Sequence, residues 1–409
     1  MDDQRLPFSR WWLVAVAAAL MGAIGTYQFV WSSVRGPLGG QVGASETALG
    51  TVFTVFLVFQ ALSQFPAGWV RDRWGPRVPL LVAVPLLAVG YVWTGRADAL
   101  TSVYVAYALG GIGSGIAYTV AVNTAVKWFT ERRGLATGVV TMTYAGLSFL
   151  LIPAVRRGLA DSFETTLTLL GAGLAAVALV GVVVLSDPPR SADAAGTDGG
   201  DTTDDADGGG RLADERVYEW RETVRTWQFW LLYGVFVVVN GAGLMLIGKV
   251  VTYAEALALP AAVATAGASA VAVADALGIA VIGGLSDRLG RERTVAASLV
   301  LAGVSLAATV PLGQRGAAWA FVALAGAAAL FRSPAFSVFP TLVGEYYGRA
   351  RSSENYALVY TAKIPGSVFG GTVASGLVVS LGWTDSFLLA AAALSVAGLA
   401  TAFLRPPEV

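Results

Sequence analysis

The sequence predicts an all-α membrane protein whose twelve transmembrane helices form two six-helix bundles. Three observations carry this. Of its 409 residues 56% are hydrophobic and only 13% charged, against about 25% charged in a soluble globular chain. Apolar runs of about 20 residues, the length that crosses a bilayer core as a helix, recur along nearly the whole chain. One polar motif, G-x-x-x-D-R-x-G, occurs twice, each time after the second span of a six-span half. The short period-two segments of a membrane β-barrel are missing.

The first half holds spans at 11–34, 48–70, 78–93, 103–126, 135–155 and 166–185. The second holds 227–251, 261–285, 295–312, 317–343, 356–381 and 386–403. The chain therefore divides into an N-terminal bundle (1–186), a polar linker (187–226) and a C-terminal bundle (227–409). Between positions 193 and 207 the linker carries six aspartates and no basic residue. Such a run buries too little apolar surface to fold alone and reads as a solvated tether. The first apolar run exceeds twenty residues, lacks a small-residue cleavage pattern and is one of many like it, so it is no cleaved signal.

Loop charge predicts orientation. Arg71, Arg73 and Arg77 follow span two, Lys127, Arg132 and Arg133 span four, Arg288, Arg291 and Arg293 span eight, and Arg349 and Arg351 span ten. Arg5 and Arg10 precede span one. The opposite loops carry fewer, chiefly Arg35, Arg96, Arg156, Arg157 and Arg315. The positive-inside rule then puts both termini in the cytoplasm, with the chain in the cytoplasmic membrane.

Composition excludes several chemistries. With no cysteine and no histidine, disulfides, thiolate catalysis and the usual zinc sites are out, and proton coupling falls to carboxylates. The formal net charge of zero gives no footprint for nucleic acid. The G-x-G at Gly111–Gly113 lies inside an apolar span, not between a strand and a helix, so it is no nucleotide loop. No enzyme activity and no cofactor are expected.

The paired motif is Gly68, Asp72, Arg73 and Gly75 after span two, and Gly283, Asp287, Arg288 and Gly290 after span eight. Glycine admits close helix approach, the aspartate pairs near a helix end, and the arginines stay at the interface. With the six-plus-six layout and the central linker, these motifs resemble the major facilitator superfamily of secondary transporters. The resemblance covers nearly the whole chain and implies a monomer with two bundles around a central cavity, working by alternating access.

A narrower resemblance, to the oxalate/formate antiporter family and the related monocarboxylate transporters, rests on three stretches. They are Lys127-Trp-Phe-Thr-Glu-Arg132-Arg133-Gly134, Phe229-Trp-Leu-Leu-Tyr233 and Tyr360-Thr-Ala-Lys363. The resemblance implies a small carboxylate substrate, with a lysine in span eleven and an arginine in span eight on its oxygens. Lys363 matches that lysine. Ile279 stands where the arginine is expected, which favours a monocarboxylate over a dicarboxylate. Asp275, one turn earlier, matches the aspartate of proton-linked monocarboxylate transporters.

Charged residues well inside the spans are few: Asp275, Arg332 and Lys363, with Lys249 nearer an end. Asp275 lies twelve positions before Asp287, and Lys363 twelve after Arg351, about 18 Å of helix in each case. Arg332 lies some fifteen residues into span ten, so the three are expected at one depth, with Arg332 as a possible second cation. An ionisable group there is expensive unless paired, and marks a functional site by default. Lys363 is expected to receive the substrate carboxylate, with Asp275 as its ion-pair partner or as a proton carrier that frees it. A permanent structural ion pair is the plain alternative. Lys249 is expected to snorkel to the outer interface. Tyr27, Gln28, Gln60, Tyr118, Asn123, Tyr356 and Tyr360 are cavity candidates, each open to ordinary packing instead.

The expected function is transport of a small organic anion, by exchange or with protons. A proton-driven exporter of hydrophobic or cationic compounds using Asp275, and a membrane receptor without transport, are the alternatives.

Overall fold

A chain that threads a bilayer repeatedly must satisfy its backbone groups within each segment, and only helices do so for isolated spans. The computed structural model describes residues 9–128, 133–187, 218–348 and 352–407, and all regular structure among them is helical. The acidic stretch 193–207 lies outside the described residues, as do the side chains of Asp72 and Asp287.

The first half comprises α1 (Trp11–Phe29), α2 (Trp31–Val42), α3 (Glu46–Trp74), α4 (Arg77–Gly95), α5 (Leu100–Trp128), α6 (Arg133–Asp161) and α7 (Phe163–Val184). After the short α8 (Trp220–Thr223) come α9 (Trp227–Ala256), α10 (Ala261–Leu277), α11 (Gly283–Leu289), α12 (Arg291–Gln314), α13 (Ala318–Arg332) and α14 (Ala335–Tyr347). The chain ends with α15 (Ser352–Tyr360), α16 (Lys363–Val368) and α17 (Ala374–Thr401). π-Helical stretches, Gly278–Ile282 and Phe369–Val373, join α10 to α11 and α16 to α17.

Among the described residues eleven helical stretches are long and apolar enough to span a bilayer. The last of them, Leu358–Thr401, runs 44 residues and is divided at Gly382, whose φ of 83° no helix accommodates. That division makes the twelfth span. Large apolar side chains such as Phe65 and Val183 face outward, as contact with lipid requires.

Within the first half α3 and α4 pack on α5, α7 on α4 and α1 on α6; within the second, α12 packs on α13 and α17, and α10 on α13. The halves meet where α6 lies against α10, α3 against α16 and α17, and α2 against α9. The repeated motif has the same backbone device in both copies. Gly75 and Gly290 end α3 and α11 at φ of 76° and 89°, a region that costs other residues a Cβ clash. The face that carries both motif loops is called the motif side below, and the opposite face the far side.

Three spans depart from the sequence expectation, each for a local reason. Span one does not end at residue 34: after a kink at Val30 it continues as α2 to Val42, so Arg35 is a buried helix residue and not a loop charge. Span ten breaks after Arg332 because Pro334 has no N–H to give the Leu330 carbonyl. Span eleven breaks between Tyr360 and Lys363 because Pro365 cannot bond the Thr361 carbonyl. That carbonyl accepts instead from the Ile364 amide at 2.9 Å.

The break in span ten also lets two helices touch. Gly278 comes so close to the freed Leu330 carbonyl that a Cβ at residue 278 would stand 2.1 Å from its oxygen. Gly278→Ala is therefore expected to cost about 1–3 kcal/mol, read as a lower thermal midpoint by tryptophan fluorescence in detergent. Gly173→Ala, where an added Cβ meets nothing within 4 Å, is expected to stay within about 0.5 kcal/mol of the parent.

Candidate substrate site

Lys363 is the first residue after the break in span eleven, and that position turns its side chain toward the first half. The residue is only 7% exposed. Its Nζ donates to Gln60 Oε1 at 3.1 Å, across the interface between the halves. Gln60 Nε2 in turn donates to the Tyr144 hydroxyl at 3.0 Å, and that hydroxyl donates to Gln28 Oε1 at 3.1 Å. One chain of hydrogen bonds thus runs from the amine through α3 and α6 to α1.

Aromatic rings surround it. The Tyr360 ring centre is 5.9 Å from Lys363 Nζ, within the range of a cation–π attraction. Tyr118 of α5 faces Tyr360 across the interface and meets Tyr144 edge-on at 5.8 Å. Tyr356 and Phe236 pack on Tyr360 at 5.8 and 6.0 Å.

No carboxylate among the described residues lies within 4.0 Å of the Lys363 amine. An ammonium group with three donors thus has one neutral acceptor in a setting of low polarity. Such a charge is costly in a membrane interior, and an arriving anion offsets that cost.

Asp275 does not neutralise it, contrary to the sequence expectation. Its Oδ1 accepts from Arg332 Nη2 and from the Ser333 hydroxyl. The reason lies in the backbone: Gly278 lets α10 approach α13 where Pro334 ends that helix, and this brings Asp275 against Arg332 and Ser333. Arg332 Nη1 also reaches the Val239 carbonyl at 3.5 Å, and the guanidinium sits 5.4 Å from the Phe336 ring centre. It crosses α9 at Gly243, where a Cβ would stand 2.4 Å from Arg332 Cζ. Arg332 therefore has its own anion and does not stand beside Lys363 as a second free cation.

Two other expectations need correction. Tyr27 does not line the central group: its ring stacks on Tyr91 at 3.9 Å, and its hydroxyl donates to the Leu87 carbonyl at 2.8 Å. Lys249 does not snorkel to an interface. It is 2% exposed, and its amine donates to Glu46 Oε1 at 2.8 Å and to the Ser375 hydroxyl at 2.6 Å. Gln28, Gln60, Tyr118 and Tyr360 do come together with Lys363. Asn123 bonds back to the Thr119 carbonyl of its own helix at 2.9 Å.

Tyr144, the hub of the chain, has no signal in the sequence beyond being a lone tyrosine in span five. Glu46 had one. Ser45 caps α3 by accepting from the Ala48 amide, and a serine followed by an acid marks a helix start.

The sequence profile of the Major Facilitator Superfamily matches residues 11–249 and again 237–409, and the chain belongs to that superfamily. It is 30% identical over 404 residues to the oxalate:formate antiporter of Oxalobacter formigenes, covering 97% of this chain and 92% of that one. It is 31% identical to human monocarboxylate transporter 11 over 128 residues, 29% of this chain and 27% of the relative. Among solved structures, an inward-facing, unoccupied bacterial homologue of the lysosomal transporter Spinster superimposes with a TM-score of 0.71. It shares 16% identity, and 96% of each chain is covered. The chain is thus a membrane transporter, not an enzyme, related to carriers of carboxylates.

The Asp275–Arg332 pair makes a prediction about stability. Asp275→Asn leaves a buried guanidinium without its anion and is expected to cost about 3–5 kcal/mol. Asp275→Asn combined with Arg332→Met removes both charges and is expected to recover most of that loss. Thermal unfolding of the purified variants in detergent checks both.

Proposed function

We propose that this transporter moves small organic anions by alternating access, with the carboxylate seated on Lys363 between the two halves. The supporting observation is the Lys363 amine itself, buried at the interface, bonded to Gln60 and without a carboxylate partner among the described residues. Gln60, Tyr144, Tyr118 and Tyr360 surround that amine with groups able to bond the substrate's oxygens. Because Asp275 already holds Arg332, the site offers one free positive charge among the described residues, which favours a monocarboxylate such as formate, lactate or pyruvate over oxalate.

The same pairing argues against a cationic substrate at Asp275, since a cation would have to displace a bound guanidinium. It also argues for exchange over proton symport. Moving the empty site across means moving an uncompensated buried amine, whereas the loaded site moves as a neutral pair. Return of the carrier is therefore easier with a counter-substrate bound.

By the positive-inside rule the motif side faces the cytoplasm, with both termini there, in the cytoplasmic membrane. Residues 1–186 and 227–409 form the two moving bodies, 187–226 tether them on the cytoplasmic side, and one chain suffices for transport.

Uptake of labelled formate, lactate, pyruvate and oxalate into preloaded proteoliposomes tests the site. Lys363→Gln removes a charge-assisted bond of about 1.5–3 kcal/mol and is expected to reduce apparent affinity about 10- to 100-fold. Uptake by Lys363→Gln with unchanged affinity would refute the assignment.

A further inference from the structure

On the far side of the interface lies a second group of buried charges that the central site does not use. Arg35 and Glu46 belong to the first half, Lys249 and Ser375 to the second. Glu46 Oε1 accepts from Arg35 Nη2 and from Lys249 Nζ. Lys249 Nζ also donates to Ser375 Oγ, and Arg35 Nη1 reaches the Gly248 carbonyl at 3.4 Å. Arg35 and Lys249 are 1% and 2% exposed. One carboxylate therefore serves two buried cations.

This cluster caps a seam that closes the far side. Just below it the Thr54 hydroxyl donates to the Ser367 carbonyl at 3.2 Å and accepts from the Thr372 amide at 3.0 Å. Gly50 lies so close to α17 that a Cβ there would be 2.0 Å from Ser375 Oγ. Glu46 precedes Gln60 by fourteen positions and Ser375 follows Lys363 by twelve, so the cluster stands about 20 Å from the central amine along the helices.

Alternating access requires the halves to part on this side. Arg35 and Glu46 then stay together, because α2 and α3 are consecutive helices of one half joined by residues 43–45. Lys249 leaves with the other half and, of its partners among the described residues, keeps only the neutral Ser375. Opening therefore strips its counter-charge from a cation at the mouth of the pathway.

We propose that Lys249, once released from Glu46, is an outer docking point for the substrate carboxylate, and that Glu46 and the arriving anion compete for it. This rests on the carboxylate reading of the central site. An anion on Lys249 keeps the far side open. When it moves on to Lys363, Glu46 regains the amine and the seam closes.

The Thr51 hydroxyl accepts from the Thr372 hydroxyl across the seam at 3.2 Å, and the chain has no cysteine, so Thr51→Cys places a single thiol in the seam for labelling by a membrane-impermeant maleimide. Added formate or lactate is expected to speed labelling of Thr51→Cys several-fold, and to have no effect once Lys249→Gln is added. In right-side-out proteoliposomes Lys249→Gln is expected to raise the far-side KM about tenfold, and Glu46→Gln to lower it. Both substitutions break the same lock, so a purely structural role would move KM in one direction for both, and that result overturns the proposal. Labelling that ignores the anion overturns it as well. Anion-dependent labelling without any carboxylate flux would instead uphold Lys249 and refute the transport reading.

Discussion

An ammonium group inside a helical bundle must find an anion or cost several kcal/mol, and among the described residues Lys363 finds only the amide oxygen of Gln60. Much of the local architecture follows from holding that amine in place. Pro365 breaks span eleven just ahead of it, which sets its direction. Gln60 is itself held by Tyr144, and Tyr144 by Gln28, so three helices of one half converge on a residue of the other. A bond across the interface that is neutral on one side and charged on the other is weak enough to be replaced by a carboxylate.

Three buried cations of the second half have three different solutions. Arg332 is neutralised within its own half by Asp275 and moves with it as a unit. Lys249 is neutralised across the interface by Glu46, an arrangement that the proposed cycle keeps only while the far side is closed. Lys363, in the proposed function, is left to the substrate. The distinction is one of connectivity: under the proposed alternating access, a pair within a half survives rocking of the halves, and a pair between them is made and broken in each cycle.

Much of the fold was legible in the sequence because a bilayer leaves the backbone few choices: span count, halves and the repeated motif all follow from hydropathy and from two glycines that need positive φ. The partners were less legible. Helical rise placed Asp275, Arg332 and Lys363 at a common depth, but depth says nothing about which helices touch. Gly278 against the Leu330 carbonyl decides that Asp275 meets Arg332, and this contact is between residues more than fifty positions apart. The same holds for Lys249. Its place near a helix end suggests an interface, while its partner Glu46 lies just before the apolar run of span two. Tyr27 failed differently, since a polar aromatic in a span serves a core as well as a cavity.

The central claim, that the Lys363 amine crosses readily only with an anion on it, is tested most directly by efflux. Proteoliposomes loaded with a labelled monocarboxylate are diluted into medium with and without saturating unlabelled substrate. External substrate is predicted to speed efflux by more than about tenfold, the factor that 1.4 kcal/mol represents, and Lys363→Gln to abolish the difference. Equal efflux into both media, or efflux that follows a proton gradient alone, would contradict it.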